Sequence, residues 1–293
     1  ILLASFFLVR VFILFHDCAH GSFFVSPRAN RLLGYVAGIL TFTPYESWAH
    51  PHNIHHGTYA DLDHRGVGDI WTLTREEYSA APRLKRLAYG LYRSPIVLLG
   101  PGPMFLFLIV YRFPFKGEGE AERRSILVTD MAVLALVGVL CAQLGWRTYL
   151  LIQLPIVAVA ATIGVWLFYV QHQFEGVYWS RHVEWDPMRA ALAGSSYYRL
   201  PKVLQWFTGH IGMHHVHHVL SRIPNYNLQR AYEATPSLQT VRPLTLLASL
   251  RSLRLNVWDE ARGRLVSFRS LKQSAQSSPS ENNNYDHHNA LPA

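Results

Sequence analysis

The sequence predicts an all-α fold, an integral membrane helical bundle with interfacial helices and a histidine-rich cap on its cytoplasmic face. Three observations predict it. Two long apolar stretches are separated by a single arginine, eight histidines fall into three short boxes beside apolar segments, and the basic residues gather on the box side of those stretches.

Of the 293 residues, 50% are hydrophobic, 13% aromatic and only 16% charged, which is enough material for one large domain. That domain is assigned to residues 1–272, and the Ser/Asn-rich end, 273–293, is expected to be a disordered polar tail. Residues 1–15 (ILLASFFLVRVFILF) are apolar and begin without Met, so the chain reads as starting partway through a spanning helix, and no signal peptide is read from it. Cys18 and Cys141 make no disulfide framework and read as packing residues. Arg10 is costly inside a bilayer, and is expected either to snorkel to the cytoplasmic side or to pair with a carboxylate.

Residues 126–146 and 148–170 each approach the roughly 20 residues that a helix needs to cross a bilayer. With only Arg147 between them they read as a helical hairpin, Trp146 and Tyr149 being interfacial aromatics at its far turn. If all three boxes serve one centre, they lie on one side of the membrane, and the number of crossings between boxes is even. The stretch 32–44 is too short to cross, so it lies along the interface or re-enters. The stretch 95–113 is interrupted by Gly100-Pro101-Gly102-Pro103 and is the non-crosser of the three between the second and third boxes. The net charge of +8 maps to Arg28, Arg31, Arg123, Arg124, Lys202 and the run 242–269 on the box side, which marks that side as cytoplasmic. Such a surface attracts anionic lipid headgroups or an acidic electron-carrier protein. No basic-aromatic motif suggests nucleic acid.

The boxes are His16/His20, His52/His55/His56 and His214/His217/His218. Histidines at i and i+4, or at i, i+3 and i+4, share one face of a helix, so each box presents two or three nitrogens together. Imidazole suits iron, zinc, copper and nickel. Eight nitrogens are too many for one ion, and two metals with neutral histidine ligands is the economical reading. His215 lies about 100° around the helix from His214 and faces away. His50 falls outside the box register, His64 and His182 read as loop residues, and His287 and His288 sit in the tail. His172, alone at a span end, reads from spacing as an interface residue, and His210 is balanced between ligand and neighbour. Asp17, Asp61, Asp63, Asp69, Glu175 and Asp186 are candidates to orient imidazole N–H groups, each weighed against a plain solvated loop carboxylate. Trp166, Phe168 and Tyr169 are tunnel-lining candidates weighed against helix packing. Residues 197–207 are expected to form an interfacial amphipathic helix, and 254–268 a small hairpin around D-E-A-R-G.

The motifs H-D-C-A-H-G-S-F-F, H-N-I-H-H-G-T-Y-A-D-L-D-H-R-G-V-G-D-I-W-T-L-T, Y-V-Q-H-Q-F-E and H-H-V-H-H-V-L-S-R-I-P-N-Y-N-L resemble the membrane fatty acid desaturases, and look like the acyl-lipid omega-6 (delta-12) branch. The resemblance runs through about residue 268. It implies a di-iron centre (Fe2+/Fe3+) in the cytoplasmic cap with the eight box histidines as ligands, His172 as a ninth, and no catalytic residue beyond the ligands. It further implies a fatty acyl lipid substrate, O2 as co-substrate, and ferredoxin or a cytochrome b5-like protein as electron donor. One departure is His210, where that branch carries Asn before the third box.

An unactivated C–H bond offers acids and bases no handle, so a metal-bound oxidant is required for such a reaction. Selectivity between methylenes then comes from geometry, in a narrow apolar tunnel. The rival readings are a histidine-box hydroxylase or carotenoid ketolase, a metal transporter, and a lipid-binding membrane protein with structural zinc. Transporters need polar groups at mid-membrane, whereas the two clear spans carry only Asp130, Gln143 and Gln153.

Overall fold

The structure, a computed structural model, describes residues 1–115 and 117–271. The tail read as disordered, 273–293, lies outside the described residues. The described chain is mainly helical with four three-residue strands.

Three helices are long and apolar enough to cross a membrane: α1 (Leu2–Ala19), α8 (Glu120–Leu144) and α9 (Trp146–His172). Leu127, Met131 and Leu134 of α8 and Leu151 of α9 are largely exposed, as lipid-facing side chains are. The hairpin turns on Gly145, whose φ of 79° suits glycine, and not on Arg147 as expected. Trp146 is exposed beside the turn, but Tyr149 is buried and does not serve as an interfacial anchor.

Apart from α8 and α9, the helices between the boxes are short. Ser26 caps α2 (Pro27–Leu40) by accepting from Ala29 N, with Pro27 in the first turn, and α2 packs along α1. Tyr45–Thr58 forms α3, the helix of the second box. Arg75–Ala80 (α4) opens with a capping box between Thr74 and Glu77, and Arg83–Tyr92 (α5) follows. The predicted break at Gly100 divides α6 (Pro95–Leu99) from α7 (Pro101–Leu108). Arg112, just beyond α7, pairs with Asp130 of α8 and donates to the Phe42 carbonyl, tying this segment to the bundle.

After α9 come α10 (Pro187–Ala193), capped by Asp186, strand β1 (Tyr197–Arg199), α11 (Lys202–Phe207), α12 (His214–Val219), α13 (Asn225–Ala234), strand β2 (Pro243–Thr245) and α14 (Leu246–Ser249). The expected amphipathic helix over 197–207 is confined to α11. Its first residues instead pair in parallel with β2, Tyr198 opposite Leu244, and Pro201 separates the strand from the helix. The hairpin expected over 254–268 is present as β3 (Val257–Asp259) antiparallel to β4 (Arg264–Val266). Arg10 finds a backbone partner rather than a carboxylate: its Nη1 donates to the Trp206 carbonyl at 2.6 Å, and the guanidinium lies over the Trp206 ring.

These connections place one end of each long helix at the same place. The C-terminal ends of α1 and α9 carry His16/His20 and His172. The N-terminal end of α8 meets α3, where Ser125 Oγ accepts from Glu46 N and Glu118 accepts from Ser47 Oγ. Behind the third box, Ile13, Met213, Val216 and Leu228 form an apolar backing, while Tyr59, Trp179, Trp258 and Leu265 close the far side.

Candidate metal centre

The helical spacing read from the boxes is present in all three. His16 lies in the last turn of α1 with His20 as its C-cap, His52, His55 and His56 lie on α3, and His214, His217 and His218 lie on α12. The four helix ends turn these imidazoles toward one another. His16, His20, His52, His56 and His217 form one group whose ligand atoms lie within 4.8 Å of each other. His55, His172 and His218 form a second, and His214 joins it, its Nε2 lying 3.0 Å from that of His172 and 3.1 Å from that of His218. His172 therefore stands inside the cluster and not at an interface.

Within each group, Nε2 atoms face each other at short range: His20 and His52 at 3.1 Å, His55 and His172 at 3.1 Å, His56 and His217 at 3.0 Å. Burial, reinforced by the neighbouring imidazoles, holds His20, His52, His56, His214, His217 and His218 well below the usual imidazole range, so these rings are neutral at pH 7. Neutral imidazole lone pairs converging in a buried site, with no carboxylate among them, are a donor set for cations. The set fits a pair of iron ions, since imidazole is a good iron ligand and nine nitrogens divide into five and four. The buried Nδ1 atoms of His16, His56, His214 and His217 have no hydrogen-bond partner, consistent with Nε2 being the working nitrogen.

One of the six acidic candidates, Asp69, orients a box imidazole. Asp69 Oδ1 lies 2.5 Å from His55 Nδ1, while its Oδ2 accepts from Gly66 N. Asp17 Oδ1 stands 3.5 Å from His16 Nδ1 without hydrogen-bonding to it, and its Oδ2 accepts from both the backbone N and the Nδ2 of Asn225 at 2.7 Å. The other four serve elsewhere: Asp61 with His64 and His182, Asp63 with Arg181, Glu175 with Arg251, and Asp186 as a helix cap. The Asp69 contact depends on Gly68, whose φ is +70° and where a Cβ would fall 2.4 Å from the Pro51 carbonyl.

Among the aromatics, Phe168 stands 5.1 Å from the His172 ring and 5.5 Å from that of His55. Trp166 and Tyr169 are packing residues: Trp166 donates to Tyr198 OH, and Tyr169 OH donates to the carbonyls of Ser252 and Leu255. His215 faces away as expected, with Nε2 3.0 Å from the Leu238 carbonyl. His50 lies at the surface near Glu122, and His210 belongs to neither histidine group.

Sequence reasoning passed over three contributors. Trp48 stacks on His52 with ring centroids 4.3 Å apart, Tyr59 lies 4.1 Å from the His172 ring and donates to its carbonyl, and Asn225 holds Asp17. Only Asn225 had a local signal, following the third box in S-R-I-P-N. A cavity of about 240 Å³ reaches His56 and His218 between Tyr59, Trp185, Met188 and Val219.

Comparison with known proteins agrees with this geometry. The family model described as "Fatty acid desaturase" matches residues 1–241. A protein of Bacillus subtilis named "Fatty acid desaturase" is 48% identical over 277 residues, 94% of this chain and 79% of that protein. An sn-1 acyl-lipid omega-3 desaturase (ferredoxin) of Synechocystis sp. is 28% identical, covering 76% of this chain and 63% of its own length. An sn-1 oleoyl-lipid 12-desaturase of Picosynechococcus sp. is also 28% identical, covering 77% and 65%. The chain thus spans just under two thirds of the two cyanobacterial proteins. With the family match covering all three boxes and His172, the chain belongs to the fatty acid desaturase family.

Proposed function

We propose that the protein is a membrane-bound desaturase that introduces a cis double bond into a fatty acyl lipid, consuming O2, two electrons and two protons and releasing two waters. The observation that carries this reading is the convergence of nine histidines, seven of them buried, in groups of five and four, at the shared end of three span-length helices. A site at that position meets a substrate whose reacting carbons lie in the membrane. The rest of the ligand assignment rests on family membership.

His16, His20, His52, His56 and His217 would hold one iron, and His55, His172, His214 and His218 the other. When bound, the irons supply the redox chemistry that activates dioxygen and removes hydrogen from unactivated methylenes. The chain's own residues contribute position. Asp69 fixes the orientation of His55, raising ligand basicity and limiting ring rotation, while Asp17, beside His16, ties the end of α1 to Asn225 of α13. Phe168, against His55 and His172, offers an apolar wall beside the centre for an acyl chain.

The motifs favour the omega-6 (delta-12) bond position. A ferredoxin or cytochrome b5-like donor is the proposed electron source, supported by the Synechocystis relative whose name carries ferredoxin. The excess of basic residues supports a cytoplasmic position for the histidine end. The test is expression in a host lacking polyunsaturated lipids, followed by mass spectrometry of fatty acid methyl esters. A new alkene made by wild type and absent with His217→Ala supports the proposal. Identical profiles remove it, and a hydroxyl or keto product without a new alkene transfers it to the hydroxylase or ketolase reading.

A further inference from the structure

A second set of metal-ligating side chains meets outside the nine-histidine cluster. Asp61 follows α3, His64 comes three residues later, and His182 arrives from the segment after α9. His64 Nδ1 lies 2.8 Å and His182 Nδ1 2.7 Å from the same oxygen, Oδ2 of Asp61. The two rings cross at 73° with centroids 4.4 Å apart, and one ligand atom from each of the three residues lies within 4.8 Å of the others.

This arrangement is built rather than incidental. The Asp61 carboxylate is buried, with Oδ1 accepting from Asp63 N, so Oδ2 is aimed at the imidazoles. The segments bearing the histidines are joined by main-chain hydrogen bonds, Leu62 N to Ser180 O at 2.9 Å and Ser180 N to Ala60 O at 3.0 Å. Asp63 adds a second tie, accepting from His182 N and from Arg181, which also pairs with Glu260. Both imidazoles are about half exposed, at 51% and 58%, which leaves an ion a route in and solvent to complete its shell.

We propose that Asp61, His64 and His182 form a peripheral site for a divalent transition cation, zinc by its donor set, separate from the desaturase centre. Two imidazole nitrogens, one carboxylate oxygen and a water make the four-coordinate shell that zinc takes, at about 2.0–2.2 Å from each protein ligand. Binding requires each ring to carry its proton on Nε2 rather than Nδ1, an exchange of tautomer without net proton release. The bound ion would brace the chain between α3 and α9, because Tyr59, two residues before Asp61, donates to the His172 carbonyl and accepts from Trp185 Nε1.

The experiment uses iron-loaded, tag-free full-length protein in detergent, equilibrated with Zn2+ and freed of unbound metal. Zinc and iron per chain are then counted, and thermal midpoints compared with and without zinc. Wild type should hold one zinc more than the His64→Gln/His182→Gln variant at unchanged iron, and only wild type should gain thermal stability from zinc. His64→Gln alone, a change at an exposed loop residue, should show the same loss of zinc. Equal zinc in wild type and variants, or zinc taken up only as iron is lost, would overturn the proposal.

Discussion

Asp69 Oδ1 sits 2.5 Å from His55 Nδ1, and both side chains are almost wholly buried. The Nε2 of the same imidazole faces His172 at 3.1 Å, so one carboxylate sets the ring that links the second box to the end of α9. Loss of such an orienting partner weakens metal affinity or activity by roughly 10–100-fold. Asp69→Asn should therefore lower iron retention and desaturation by that factor while leaving the protein folded. Gly68→Ala should reproduce the phenotype, because its Cβ would meet the Pro51 carbonyl at 2.4 Å. Iron content against chelator concentration reads both.

Asp17 links the first box to α13 through two hydrogen bonds from Asn225. Asp17→Ala strands two buried N–H groups, each at a cost of about 1–3 kcal/mol. The thermal midpoint should fall, and iron retention with it, whereas Asp17→Asn should lose less because its amide oxygen still accepts. Differential scanning fluorimetry of the two variants separates these outcomes.

Adjacent histidines in the third box should behave oppositely. His214 faces His172 and His218, while His215 is directed to the Leu238 carbonyl. His214→Gln should abolish desaturation and reduce bound iron. His215→Gln, at a neighbouring buried position, should keep both while lowering stability by about 1–3 kcal/mol.

Burial depresses His215 to about 4. Its stability contribution is complete above the unfolded value near 6.5 and falls as pH drops toward 4, since the unfolded chain binds the proton first. The metal-free protein should therefore lose stability on acidification through that window, with His215 contributing on the order of 3 kcal/mol. The depressed box histidines act with the same sign, so the pH dependence of the thermal midpoint should become shallower, without vanishing, in His215→Gln.

The boxes were legible because each lies within a single helix or at its cap, where i, i+3 and i+4 spacing determines a common face. The hairpin of α8 and α9 was legible from apolar length, and the break at Gly100 from the chemistry of proline and glycine. Asp69 lay among six acidic candidates that local pattern could not separate. It reaches His55 through a turn requiring positive φ at Gly66 and Gly68, and Asp61 goes instead to His64 and His182. Pairing of β1 with β2 joins residues 46 positions apart, Tyr198 to Leu244, which no periodicity in 197–207 announces. The division of nine histidines into five and four likewise depends on how α3 and α12 cross, because each of these boxes contributes to both groups.

The most direct test of a two-iron centre built from these nine histidines is metal analysis of wild type beside His217→Ala and His172→Ala, purified anaerobically with iron supplied. The account predicts two irons per wild-type chain and a lower count in each variant, one from each group. One iron per wild-type chain, zinc in place of iron, or full iron retention by both variants would contradict it.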